Sequence, residues 1–124
     1  MALLEALTIS DAAEAAGVTT HTLRYYERAG LMLERVGRTA ATHRRYTDRE
    51  INWVILLGRL RATGMPIRRM REYADLVRAG DGNERERLEL LEAHRAEVLA
   101  QLDEVQRSLA AIEAKIDYYR EALS

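Results

Sequence analysis

A mainly α fold is predicted for this 124-residue chain on three observations. Ile9, Ala13, Gly17, Val18 and Leu23 fall at relative positions one, five, nine, ten and fifteen, which suits two short helices crossing at a turn. The stretch Thr20–Leu31, T-H-T-L-R-Y-Y-E-R-A-G-L, gathers Arg24, Tyr25, Tyr26 and Arg28 on the second of those helices. From Leu88 to Leu123, eleven positions succeed one another at steps of three and four, and ten of them are apolar or aromatic. Together these features predict a winged helix-turn-helix with a small two-stranded wing over residues 1–80, followed by a long dimerising coiled-coil helix over residues 81–124.

The first helix is expected from about Ser10 to Ala16, with Ser10 as its cap and Asp11 at its positive end. Ala13 is small where two helices cross closely. Gly17 supplies a turn conformation costly for other residues, and Val18 and Leu23 lock the second helix onto the first. Thr19 or Thr20 caps that second helix, which stops near Gly30. It has the form of a helix that lies in a major groove with arginine and tyrosine aimed at phosphates and base edges. Between Leu33 and Tyr46 a two-stranded wing is predicted, turning near Gly37 and carrying Arg35, Arg38, Arg44 and Arg45.

Thr47-Asp48-Arg49-Glu50 reads as a capping box that starts a third helix, with Ile51, Val54, Ile55, Leu57 and Leu60 on its buried face and Gly64 at its end. Pro66 opens a fourth helix that runs to about Ala79, with Ile67, Met70, Tyr73, Leu76 and Val77 inward. Gly80-Asp81-Gly82 is a hinge-like break. Beyond it the seam is Leu88, Leu91, Arg95, Val98, Leu102, Val105, Leu109, Ile112, Ile116, Tyr119 and Leu123, with Arg95 its single polar member. The preceding ~80 residues are too few to cover a helix about 55 Å long. The seam is therefore expected to meet a second copy rather than its own domain.

Charge is segregated along the chain. The formal net charge is −1, yet residues 20–71 hold twelve arginines against four acids, and residues 72–124 hold thirteen acids against seven bases. The basic block coincides with the helix-turn-helix and the segment C-terminal to it, as expected of a surface that meets nucleic acid. Of the nineteen basic residues only Lys115 is a lysine. Arginine forks bind phosphate in bidentate fashion.

Other chemistry finds little support. Cysteine is absent, which excludes disulfides and thiolate metal sites. His21, His43 and His94 lie on separate predicted elements without ligand spacing, so no metal and no cofactor are expected. Asp48 with Glu50, and Glu84 with Glu86, read as capping and solvent residues rather than a catalytic pair, and no enzyme activity is expected. Trp53, Tyr73, Tyr118 and Tyr119 read either as core filling or as the lining of an apolar pocket. The N-terminus lacks a signal-peptide pattern, and no segment approaches the ~20 apolar residues of a membrane span. A cytoplasmic protein without a membrane partner is expected.

The combination T-L-R-Y-Y-E-R-A-G-L (22–31), H-R-R-Y (43–46), R-A-T-G-M (61–65), L-L-E-A-H-R (90–95) and K-I-D-Y-Y (115–119) resembles the MerR family of bacterial transcription regulators over nearly the whole chain. The resemblance implies a winged helix-turn-helix, a two-helix second wing, and a long helix pairing antiparallel with that of a partner. It implies a homodimer on double-stranded DNA at a near-palindromic promoter, distorted so that RNA polymerase can use it. It implies that Thr20, His21, Arg24 and Tyr25 face the DNA, joined by Arg38, Arg44, Arg45 and Tyr46 of the first wing and by Arg68 of a second wing over Met65–Arg69. Tyr26 and Tyr46 each read as core or as DNA contact. His43 stands where the family often has an aromatic residue. The sensor cysteines of metal- and electrophile-sensing members are absent, and so is the ligand domain of the multidrug sensors. The switch is then either an unidentified small-molecule effector or none. The competing reading is a protein-interaction accessory factor that uses its coiled coil and binds DNA weakly.

Overall fold

A computed structural model of the chain describes residues 8–33, 37–38 and 44–124, with the backbone alone for 37–38 and 44–45. In chain order it contains α1 (Ile9–Ala16), α2 (Thr20–Arg28), β1 (Gly37–Arg38), β2 (Arg44–Arg45), α3 (Asp48–Ala62), α4 (Ile67–Arg78) and α5 (Glu84–Leu123). The chain divides into two compact units, Met1–Arg87 and Leu88–Ser124. No described helix is long and apolar enough to cross a membrane.

Local chemistry sets where each helix begins. Thr8 caps α1: its backbone is extended and its side-chain oxygen accepts the Asp11 N–H. This corrects the assignment of the cap to Ser10, which already lies inside the helix. Thr19 caps α2 by accepting the Thr22 N–H at 3.0 Å. Thr47 and Glu50 form the predicted capping box on α3, the Glu50 N–H bonding the Thr47 hydroxyl at 3.2 Å and the Glu50 carboxylate accepting the Thr47 N–H at 2.9 Å. Pro66 precedes α4 and gives it no side-chain cap.

The turn between α1 and α2 depends on Gly17. Its φ of 74° is left-handed, and its N–H and that of Val18 close back onto the Glu14 and Ala13 carbonyls. An added Cβ would meet nothing within 4 Å, so glycine is required there by backbone angle and not by space.

Packing in the first unit follows from which faces are apolar. α1 lies against α2 and α3, and α3 against α4. Ala12 and Ala13 of α1, Leu23 and Tyr26 of α2, Trp53, Val54, Leu57 and Leu60 of α3, and Met70, Tyr73 and Ala74 of α4 are all buried. The Trp53 ring stacks on Tyr73 with centroids 5.5 Å apart, and its indole N–H donates to the Leu31 carbonyl at 2.7 Å. Ile55 departs from the predicted buried face of α3, being 39% exposed. Two residues from Leu57 on a helix of 3.6 residues per turn, it points almost opposite to it. Trp53 and Glu50 occupy the buried arc instead.

β1 and β2 pair antiparallel, Gly37 opposite Arg45 and Arg38 opposite Arg44. Directly after β2, Tyr46 is fully buried and its hydroxyl donates to the Glu27 carboxylate on α2. This bond ties the segment after the hairpin to α2. Tyr46→Phe should lower stability by about 1.5–3 kcal/mol, the worth of a hydrogen bond to a charged group. Its affinity for DNA should match that of the parent. Urea unfolding beside a DNA titration checks both; unchanged stability would show that the bond contributes nothing.

Side-chain hydrogen bonds span the Gly80-Asp81-Gly82 break between α4 and α5. Both glycines have positive φ. Asn83 Nδ2 donates to the Leu76 carbonyl at 2.9 Å, and the Arg87 guanidinium donates to Asn83 Oδ1 at 2.5 Å and to the Gly80 carbonyl. The Glu84 carboxylate accepts the Gly82 N–H. Backbone N–H groups, its own first, hold that carboxyl below its ordinary range.

The second unit is the remainder of α5. Leu88, Leu102, Val105, Leu109, Ile112, Ile116 and Tyr119 are exposed, and Leu91 and Val98 are half-buried. Asp103 and Arg107 pair at 3.1 Å along the helix surface, and Lys115 lies over the Tyr118 ring.

Candidate nucleic-acid interface

α2 has two faces of opposite character. Leu23 and Tyr26 are buried and anchor it to the core. His21, Arg24 and Arg28 are exposed, and Thr20 and Tyr25 are half-buried. A helix of this kind needs three-residue and four-residue spacing of its apolar anchors, which leaves the intervening positions free for polar groups. Tyr26 lies 6.2 Å from Tyr25, centroid to centroid. Burial pushes the Tyr26 hydroxyl above its ordinary pKa, against the lowering effect of Arg61, so it is neutral at physiological pH.

Arg61 belongs to this surface too, in addition to the residues predicted from sequence. It projects from α3 over the Tyr25 ring, its guanidinium carbon 5.8 Å from the centroid, a cation–π arrangement. His21, Thr22, Tyr25, Tyr26 and Arg61 together line a shallow open hollow beside α2. No sequence signal links residue 61 to residue 25; only the tertiary fold, in which α1 packs on both α2 and α3, brings them together.

The predicted site residues therefore divide. Thr20, His21, Arg24 and Tyr25 share the outer part of α2. Tyr46 is not a surface residue: it has no exposed area, because its ring fills the core and its hydroxyl is spent on Glu27. Tyr26 is likewise core, at 4% exposure. Arg68 is exposed in the first turn of α4. For Arg38, Arg44 and Arg45 the backbone places the residues on the paired strands, while Arg35 and His43 lie outside the described residues. Among the described residues, Arg24, Arg28 and Arg68 form no ion pair. Arg71 and Arg78, by contrast, turn onto backbone carbonyls at the end of α2.

Comparison with known proteins identifies the family. Residues 7–76 match the family of MerR HTH family regulatory proteins, and residues 51–115 match the family described as MerR, DNA binding. A relative from Haemophilus influenzae, described as an uncharacterized HTH-type transcriptional regulator, is 37% identical over 115 residues, which span 93% of this chain and 84% of its own length. Among solved structures, HiNmlR, a MerR family regulator lacking the sensor domain and bound to promoter DNA, is 37% identical. It superposes with a TM-score of 0.83 over 94% of this chain and 92% of its own. A MerR family transcriptional regulator from Listeria monocytogenes is 33% identical, with a TM-score of 0.85 over 91% of this chain and 85% of its own. With more than half its length inside the family's helix-turn-helix region and these relatives covering nearly all of it, the chain belongs to the MerR family of regulatory proteins.

Proposed function

We propose that the protein is a homodimeric transcription regulator that reads a near-palindromic promoter and distorts it. The observation that carries this reading is the two-faced α2: its apolar residues are locked in the core while His21 and Arg24 are exposed and Arg61 lies over the half-buried Tyr25. Arginines without carboxylate partners are available to phosphates, and phosphate contacts position a protein on the duplex while base-edge contacts specify the sequence. Thr20, His21, Arg24 and Tyr25 enter the major groove. The β1–β2 hairpin acts as a first wing, with Arg38, Arg44 and Arg45 on the backbone. The Met65–Arg69 stretch acts as a second wing. There the uncapped start of α4 presents amide N–H groups, and Arg68 adds a charge.

The apolar seam of α5 pairs two copies antiparallel through Leu88, Leu91, Val98, Leu102, Val105, Leu109, Ile112, Ile116 and Tyr119. Residues 1–80 then form the reading head and residues 81–124 the dimerisation helix. RNA polymerase is the protein partner that the distortion serves, and a small-molecule effector is not required for the binding step.

DNA affinity should fall steeply with salt, because each arginine placed on a phosphate releases condensed counterions. Arg24→Ala and Arg44→Ala should each weaken operator binding by ~1–3 kcal/mol. Titration against a footprinted operator checks this. Two variants that both bind like the parent would show that the reading head lies elsewhere.

A further inference from the structure

Four successive carbonyls beyond the last turn of α2 are each held by a side-chain donor from α3 or α4. The Ala29 carbonyl accepts Arg71 Nε at 2.9 Å. The Gly30 carbonyl accepts the Arg78 guanidinium at 3.1 Å. The Leu31 carbonyl accepts the Trp53 indole at 2.7 Å, and the Met32 carbonyl accepts Arg78 at 2.5 Å. The helix's own closing bonds are already made by backbone, from the N–H groups of Ala29, Gly30 and Leu31 to the carbonyls of Tyr25, Glu27 and Tyr26. The side chains thus extend the anchoring into the segment that leads toward β1. Asp75, one turn before Arg78 on α4, pairs with the same guanidinium and steadies it.

The end of α2 that they hold separates these two α4 arginines from the DNA-facing residues. Thr20, His21 and Arg24 occupy the first half of α2, and Arg28 ends it about 6 Å beyond Arg24 along the axis. The C-terminal end of a helix carries partial negative charge, which repels phosphate and favours cations. A guanidinium drawn onto those carbonyls is oriented by them.

We propose that Arg71 and Arg78 are positioning residues: they fix the end of the recognition helix and the entry to the hairpin, and they neutralise no phosphate. This rests on the reading of α2 as the DNA-reading helix. It removes Arg71 from the basic block counted in the sequence and makes α4 the element that sets where α2 points.

The test compares neutral variants on one helix, Arg68→Gln with Arg71→Gln and Arg78→Gln. The probes are a duplex selected from a random pool by the parent protein and a scrambled duplex of equal length, each titrated over a range of salt. Arg68→Gln should weaken binding to both and reduce the salt slope by about one. Arg71→Gln and Arg78→Gln should keep the parent slope and lower the preference for the selected duplex on the order of tenfold, the effect of one charged hydrogen bond. A slope reduced by one in Arg71→Gln, with preference unchanged, would make it a phosphate contact and overturn the inference. So would a lowered melting temperature with neither slope nor preference moved, which is what a purely structural bond gives. Should Arg78→Gln fail to fold, Arg71→Gln carries the test, since its bond lies at the exposed surface. A parent that prefers no duplex overturns the regulator reading itself, whereas a parent that binds normally beside an indifferent Arg71→Gln overturns the positioning role alone.

Discussion

Replacing Leu102 or Leu109 by glutamate is expected to convert the protein to monomers and to abolish tight operator binding. Both leucines lie on the apolar seam of α5 and are half exposed in the single chain. Covering the seam with a second copy would remove a row of large side chains from water, each contributing ~1.5–3 kcal/mol. A carboxylate at either position would enter that apolar interface without a partner, and the desolvation cost of an unpaired charge exceeds what the neighbouring contacts return. The acidic surface of α5 would not relieve it. Ala100→Glu, on the face away from the seam, should leave the dimer intact. Sedimentation equilibrium at micromolar concentration measures all three variants. A monomeric parent, or glutamate variants that remain dimers, would rule out the seam as the interface. Loss of tight binding accompanies dimer loss because two linked heads bind one site far more strongly than either head alone.

The second large effect concerns the promoter. Two reading heads related by two-fold symmetry demand an inverted repeat, and a stiff spacer between them fixes their separation. The DNA must then adapt to the protein. Distorting a site of this size costs ~1–6 kcal/mol, which wing contacts to the backbone can offset, and it generates specificity at base pairs the protein never touches. Transcription in vitro from the footprinted promoter should therefore depend on the protein when the spacer is intact. Shortening the spacer by one or two base pairs should make transcription independent of the protein, or turn activation into repression. Equal activation on both templates would rule out distortion and leave simple recruitment.

Much of the architecture was legible along the chain because it is decided by neighbours in sequence. The Thr47–Glu50 capping box, the left-handed Gly17 and the Thr19 cap each depend on groups within five residues of one another. The same is true of the long regular helix, whose period needs no partner to be recognised. The misplaced cap at α1 is a local error of two residues, since Thr8 and Ser10 are both good caps and only the backbone turn distinguishes them. Ile55 was misread because apolar residues cluster all round that part of α3, and periodicity alone does not choose between adjacent arcs.

The candidate site divides along the same line. The outward set on α2, Thr20, His21, Arg24 and Tyr25, was implied by the family resemblance, and the burial of Leu23 on the opposite side leaves those positions outside the core. Whether Tyr46 faces water or the core was open in sequence, and the fold settled it by bringing Glu27, nineteen residues away, to its hydroxyl. The basic block was visible as a composition, but charge counted along a chain says nothing about where each guanidinium is spent. Arg61 meets Tyr25 across a helix pair, and Arg71 and Arg78 reach carbonyls more than forty residues distant. The sequence by itself determined the helices, their order and the family, because periodicity, caps and turn residues act over a few positions. Among the described residues, only the tertiary structure decided that Arg71 and Arg78 are held on backbone carbonyls while Arg24 and Arg68 form no ion pair. A long side chain chooses among partners by distance in space, and that distance exists only once the helices have packed.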